Sequence, residues 1–77
     1  MTIKLVDLTI HIDEALGHEK LEQLRDKLLA ESGVVVATYD KSKPHLMMVG
    51  YDPGKNNSLN LLNVVKGEGV HAELVGL

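Results

Sequence analysis

The sequence contains no cysteine, no phenylalanine and no tryptophan. Without cysteine the chain cannot form a disulfide, a thiolate metal site or a cysteine nucleophile. Its aromatic residues are two tyrosines, which offer little surface for stacking on nucleobases. Eight basic against eleven acidic residues also leave no basic excess for binding phosphates. The composition therefore argues against nucleic acid as a partner.

Long apolar runs are missing as well. No apolar stretch approaches the roughly 20 residues that a membrane-spanning helix needs. The first residues also lack the basic and then apolar layout of a signal peptide. We therefore expect a cytoplasmic protein with no membrane association. The length of 77 residues fits one compact domain that spans residues 1–77.

Hydrophobic periodicity changes several times along the chain, and each change falls at a break rich in glycine or asparagine. Alternation predicts strands near residues 3–12, 34–40, 45–51 and 70–76, and helical spacing predicts helices near 15–31 and 58–67. Either Asp13 or Gly17 could cap the first helix. The second helix has two alternative buried faces, which are Leu59, Leu62 and Val65, or Leu61 and Val65.

The order strand, helix, strand, strand, helix, strand is that of the ferredoxin-like α+β sandwich. Such a fold has a four-stranded antiparallel sheet with two helices on one face. Right-handed crossovers place the first strand between the third and the fourth. The sequence therefore predicts one layer of helices over a single sheet whose other face is free of helices.

Several short segments carry a resemblance to a known family. They are Val49-Gly50-Tyr51-Asp52-Pro53, the run from Gly69 to Val75, and the junction Ser32-Gly33-Val34. Together they resemble the heavy-metal-associated domain of copper chaperones and metal-pumping ATPases, which implies a βαββαβ fold and metal handling. That family binds soft metals through Cys-x-x-Cys before its first helix, and the corresponding stretch here is about residues 17–20, Gly-His-Glu-Lys. Without thiolates, cuprous copper is an unlikely cargo.

Histidine is the remaining side chain well suited to transition metals, and the predicted topology brings all four histidines to one end of the sandwich. His11 and His71 lie on neighbouring antiparallel strands, where directly opposed Cβ atoms are only about 5 Å apart. His18 begins the first helix at the same rim, and His45 is interpreted as the end of a hairpin. We predict a site for zinc or another divalent ion at His11, His71 and His18, with a carboxylate from Asp13 or Glu14.

Unliganded surface histidines are the alternative, and His18 then forms a charge pair at helical spacing with Glu14 or Glu22. In that case the helix-free sheet face becomes the functional surface, as a protein-interaction site or a homodimer contact. Its expected apolar members are Leu5, Thr9, Val35, Ala37, Leu46, Met48 and Val75, with Asp7 and Glu73 among them.

An enzyme is not expected. The three serines, Ser32, Ser42 and Ser58, stand at helix ends or turns, where capping explains them. The Gly-x-Gly at Gly67 and Gly69 precedes a strand, whereas a phosphate-binding loop would open a helix. The sequence therefore indicates a binding domain.

Overall fold

The computed structural model describes residues 4–76, so the predicted start of the first strand at Ile3 lies outside the described residues. Six elements follow the predicted order. They are β1 (Val6–Ile12), α1 (His18–Leu29), β2 (Val34–Asp40), β3 (Lys43–Tyr51), α2 (Ser58–Lys66) and β4 (Ala72–Val75). The ferredoxin-like α+β fold is confirmed. None of the helices within residues 4–76 is long and apolar enough to span a bilayer.

The four strands form one antiparallel sheet in the order β2-β3-β1-β4. The first strand therefore lies between the third and the fourth, as predicted. In this arrangement β1 and β2 end where β3 and β4 begin, because antiparallel neighbours run in opposite directions. The residues directly after β1 and directly before β4 therefore meet at this one edge of the sheet.

A single hydrophobic core lies between the sheet and the two helices. In β1 every second residue, from Leu8 to Ile12, is buried against the helices, and α1 contributes Leu21, Leu24 and Leu28 at helical spacing. In α2 the buried side is Leu61 and Val65, the second of the two predicted alternatives. The core residues are Leu8, Ile10, Ile12, Leu21, Leu24, Leu28, Ala37, Met47, Val49, Tyr51, Leu61, Val65 and Val70.

The two helices differ at their starts, because only α2 begins with a side-chain cap. Helix α1 begins at His18 after an extended Gly17, three residues later than predicted, because Asp13 does not cap it. The Asp13 amide instead donates to the carbonyl of His71 at 2.9 Å, which ties the loop to the residue before β4. Helix α2 is capped by Asn57, whose side-chain oxygen accepts a 2.8 Å hydrogen bond from the amide of Asn60.

The helix-free face of the sheet, here called the open face, differs from the prediction at β2. The β2–β3 pairing shifts register between Val34 and Val36, which turns Val36 onto the open face beside Gly50. Ala37 was predicted there, but it is only 2% exposed and belongs to the core. The adjacent methionines do separate as expected: Met47 is buried and Met48 is 55% exposed.

Candidate metal centre

All four histidines lie at the edge where β1 ends and β4 begins, as predicted. This edge is called the histidine rim and is defined by His11, His18, His45 and His71. His11 is the penultimate residue of β1, His18 is the first residue of α1, and His71 directly precedes β4. The rim is therefore a direct consequence of the strand order.

The predicted pairing of His11 with His71 is wrong. Across β1 and β4, the residue opposite His11 is Glu73, and Ile12 lies opposite Ala72. His71 is the residue before Ala72 and therefore lies opposite Asp13, whose amide donates a hydrogen bond to the His71 carbonyl. The two histidines are thus offset by two residues along the sheet, and a carboxylate takes the place that an imidazole was expected to fill.

His11 lies between two carboxylates. Its Nδ1 atom is 2.9 Å from Oε1 of Glu73 and 3.2 Å from Oδ1 of Asp13. Ionised carboxylates only accept hydrogen bonds, so Nδ1 carries the proton that both oxygens share. One ligand-capable atom from each of these three residues lies within 4.8 Å of the others. The donor set is one imidazole nitrogen and two carboxylate oxygens.

His45 is the residue that sequence reasoning missed, because it was interpreted only as the end of a hairpin. Its ring lies nearly parallel to that of His11, with centroids 5.8 Å apart and an angle of 16° between the planes. Its Nδ1–H donates a 2.8 Å hydrogen bond to the carbonyl oxygen of Ile12. This contact anchors the ring against β1 and leaves the imidazole partly buried.

The position of His45 has a structural cause in the β2–β3 hairpin. Tyr39 pairs with Met47, but the next β2 residue, Asp40, pairs with Lys43. The intervening β3 residues, among them His45, are therefore not held in a regular ladder with β2. An irregularity of this kind redirects side chains, so the period of two does not determine where the imidazole points.

His71 is exposed and bonded to Glu14. Its Nδ1 lies 2.8 Å from Oε2 of Glu14, and its backbone amide donates to the same carboxylate at 2.9 Å. The imidazole lowers the pKa of Glu14 below its ordinary value, chiefly through the side-chain hydrogen bond. The same bond raises the pKa of His71. The pair holds the β1–α1 loop against the start of β4.

His18 belongs to a different network. Its Nδ1 lies 3.0 Å from the hydroxyl of Tyr39, which itself donates a 2.6 Å hydrogen bond to Oε2 of Glu22. The predicted charge pair of His18 with Glu14 at helical spacing is not formed, because Glu14 precedes the helix and binds His71. His18 also lines a cleft of about 440 Å³ with Leu16, Leu21, Tyr39, Lys41 and Pro44.

Comparisons with known proteins agree with this fold. No protein-family model matches the sequence, and no curated protein is significantly similar to it. Among solved structures, the N-terminal domain of a potential copper-translocating P-type ATPase from Bacillus subtilis, in its Cu(I)-loaded state, superposes with a TM-score of 0.85 at 18% identity. That match covers 95% of this chain and 90% of the other.

Two further structures give the same result. Oxidized MerP from Ralstonia metallidurans CH34 has a TM-score of 0.84 at 11% identity, covering 95% of this chain and all of the other (100%). The CopZ metallochaperone has a TM-score of 0.77 at 14% identity, covering 91% and 100%. The chain thus has the fold of heavy-metal-associated domains, in a form without cysteine. At sequence identities this low the structural similarity establishes the fold alone, so the function must be argued from the residues of the site.

Proposed function

We propose that this domain binds and handles a borderline divalent metal ion, such as zinc, nickel or cupric copper, through His11 at the histidine rim. The observation that carries the proposal is the His11 imidazole with the carboxylates of Asp13 and Glu73 beside it, which can serve either as further ligands or as groups that hold the ring. Imidazole nitrogen is the donor that suits these ions, whereas cuprous ion in such sites is held by the cysteine thiolates that this chain lacks. The role is binding, with no catalytic step.

The place of the cluster in the fold supports the same proposal. Solved structures with this fold include a metallochaperone and a copper-loaded ATPase domain. In the resembled family the metal loop joins the first strand to the first helix, and His11 and Asp13 flank the start of that loop here. Within the described residues the donors are nitrogen and oxygen, so the cargo changes from a soft ion to a borderline one. The assignment of His18 and His71 as further ligands stays a prediction.

A zinc titration of the metal-free domain followed by NMR tests the proposal. We expect saturable shifts of the His11 imidazole resonances and of nearby backbone amides, and we expect His11→Ala to abolish the saturable shifts of the amides. Lys27→Ala, on the exposed far end of α1, is a matched surface control that should bind zinc as the unmodified protein does. Unsaturable shifts, or a His11→Ala variant with full affinity, would contradict the proposal.

The open face favours a second candidate function, which is contact with a protein partner or with a second copy of this chain. Val36, Met48 and Val75 are 44%, 55% and 43% exposed. Register pairs place Met48 and Val75 on either side of Thr9, so that they form one patch. Exposed contiguous apolar surface of this kind is typical of interaction sites.

Light scattering of the unmodified protein at tens of micromolar tests this candidate against Met48→Lys. A homodimer through the open face predicts a dimeric mass that the substitution reduces to that of a monomer. Leu59→Lys is the matched control, because Leu59 is equally apolar and 63% exposed but lies on α2, on the other side of the sheet. A monomeric unmodified protein would eliminate the homodimer.

A further inference from the structure

We propose that His45 is the second imidazole ligand of this site, and that the ion binds the Nε2 atoms of His11 and His45. This rests on the proposed function, since it specifies how the ion is held at the histidine rim. In this arrangement Asp13, Glu73 and the carbonyl of Ile12 do not touch the ion. They accept hydrogen bonds from the Nδ1 atoms of the two rings and so fix the orientation of each ring.

The tautomer of each ring supports this arrangement. The Nδ1 atom of His45 faces a carbonyl oxygen, which can only accept, so the proton of the neutral ring is on Nδ1. The Nδ1 atom of His11 faces two carboxylate oxygens and is the donor for the same reason. Both neutral rings therefore present the lone pair of Nε2. Within residues 4–76 neither Nε2 atom has a hydrogen-bond partner.

The acceptors of the two Nδ1 protons are of the kind found beside metal-binding histidines. A histidine that binds a metal nearly always donates its other N–H to a carboxylate, a backbone carbonyl or water, which fixes the tautomer and raises the basicity of the ligating nitrogen. His11 has the carboxylates of Glu73 and Asp13 in this role, and His45 has the carbonyl of Ile12. Each of the two adjacent rings thus donates its Nδ1–H to an oxygen acceptor.

The two imidazole rings lie next to each other with nearly parallel planes. The centroids are 5.8 Å apart and the planes differ by 16°. A metal binds Nε2 in the plane of its ring, so the two rings must rotate to direct both Nε2 atoms toward a shared ion, and the broad energy profile of the histidine ring torsion permits this rotation. His11 and Glu73 are exposed enough to leave room for water as further ligands. Two imidazoles favour cupric copper, nickel and zinc over magnesium, calcium or manganese.

The competing arrangement places the ion on the opposite side of His11. There the ion replaces the shared Nδ1 proton and binds Asp13, Glu73 and His11 directly. That set is rich in oxygen, so it would accept manganese and would not depend on His45. The two arrangements therefore differ in the nitrogen that responds, in the requirement for His45 and in the choice of metal.

Long-range ¹H–¹⁵N spectra of the full chain, recorded during a zinc titration, distinguish them. We expect the Nε2 resonances of His11 and His45 to shift together with one dissociation constant, while both Nδ1 atoms stay protonated. His45→Gln should weaken zinc binding by at least about tenfold, since removal of a group outside the ligand shell already weakens metal sites by about that factor. Lys27→Ala, the exposed surface variant used above, is the control and should bind zinc as the unmodified protein does.

Each result has one meaning. Saturable zinc binding with a response at Nδ1 of His11, and a His45→Gln variant of unchanged affinity, would overturn this inference while the proposed function survives. No saturable binding by the unmodified protein would remove both. Urea denaturation checks that the His45→Gln variant is folded. If it is not folded, the spectra of the unmodified protein still decide which nitrogen binds zinc. Manganese in the same titration should give no saturable broadening at His11.

Discussion

The hydroxyl of Tyr39 on β2 donates a 2.6 Å hydrogen bond to Oε2 of Glu22 on α1. This bond joins the sheet to the helix beside the histidine rim. It lowers the pKa of Glu22, because it stabilises the ionised carboxylate. It also raises the pKa of Tyr39, because the phenol must keep its proton to donate.

Tyr39→Phe should therefore raise the pKa of Glu22 toward its ordinary value of 4.5. A lowered carboxyl pKa contributes stability that is present above 4.5 and is lost as the pH falls through the folded-state pKa. The variant should lose that contribution, with a small decrease in the melting temperature at neutral pH. A ¹³C titration of the Glu22 carboxyl is the measurement. The Glu14 carboxyl, bonded to His71, serves as an internal control and should not change.

Glu14→Gln should make the protein less stable in a defined range of pH. The pair is fully charged above the lowered pKa of Glu14, which is below 4.5, and under the raised pKa of His71, which is above 6.5. The contribution of His71 is complete below 6.5 and is lost as the pH rises through its folded-state pKa. The stability difference from the unmodified protein should thus be largest between 4.5 and 6.5 and should shrink at higher pH.

Urea denaturation of both proteins across this range is the measurement, with His71→Gln as the reciprocal variant. Both groups are exposed, so the difference will be small and sensitive to salt. A stability difference that grew above the raised pKa of His71 would contradict the assigned pair.

Two leucines of α2 test the buried face of that helix. Leu61 is fully buried and Leu59 is 63% exposed, although they are two residues apart in the same helix. Leu61→Ala should lower the free energy of unfolding by about 2–5 kcal/mol, because it leaves a cavity in the core. Leu59→Ala should change it by no more than about 0.5 kcal/mol. Equal losses would mean that α2 is rotated about its axis.

Substitution of Gly33 tests the contact between the start of β2 and the turn after β3, and substitution of Gly69 is the control. Both have positive φ, +82° and +85°. Alanine in the left-handed region costs about 1–2 kcal/mol at either position. At Gly33 an added Cβ would also lie 2.7 Å from Cβ of Lys55, whereas nothing lies within 4 Å at Gly69.

Gly33→Ala should therefore destabilise the protein more than Gly69→Ala, and chemical denaturation measures the difference. The excess belongs to the contact with Lys55, because both variants share the backbone strain. Equal destabilisation by the two substitutions would show that the segment around Lys55 moves away freely.

Much of the fold could be predicted from the sequence, because its signals are local. The change from period two to period 3.6 marks each element, and the breaks at Gly17, Gly33 and Asn57 mark element starts. The handedness of crossovers then places β1 at the centre of the sheet. The absence of cysteine also excludes a thiolate metal site, which leaves the histidines as the side chains best suited to transition metals.

The partner of His11 could be decided only by the tertiary structure. Moving β4 by two residues along β1 keeps every apolar residue on its own face, so the hydrophobic pattern fits both registers equally well. The observed register puts Glu73 opposite His11, where His71 was expected. His45 reaches the same place through an irregular hairpin that alternation does not describe. The sequence thus determines which face a residue occupies, while packing between distant segments decides which residues meet.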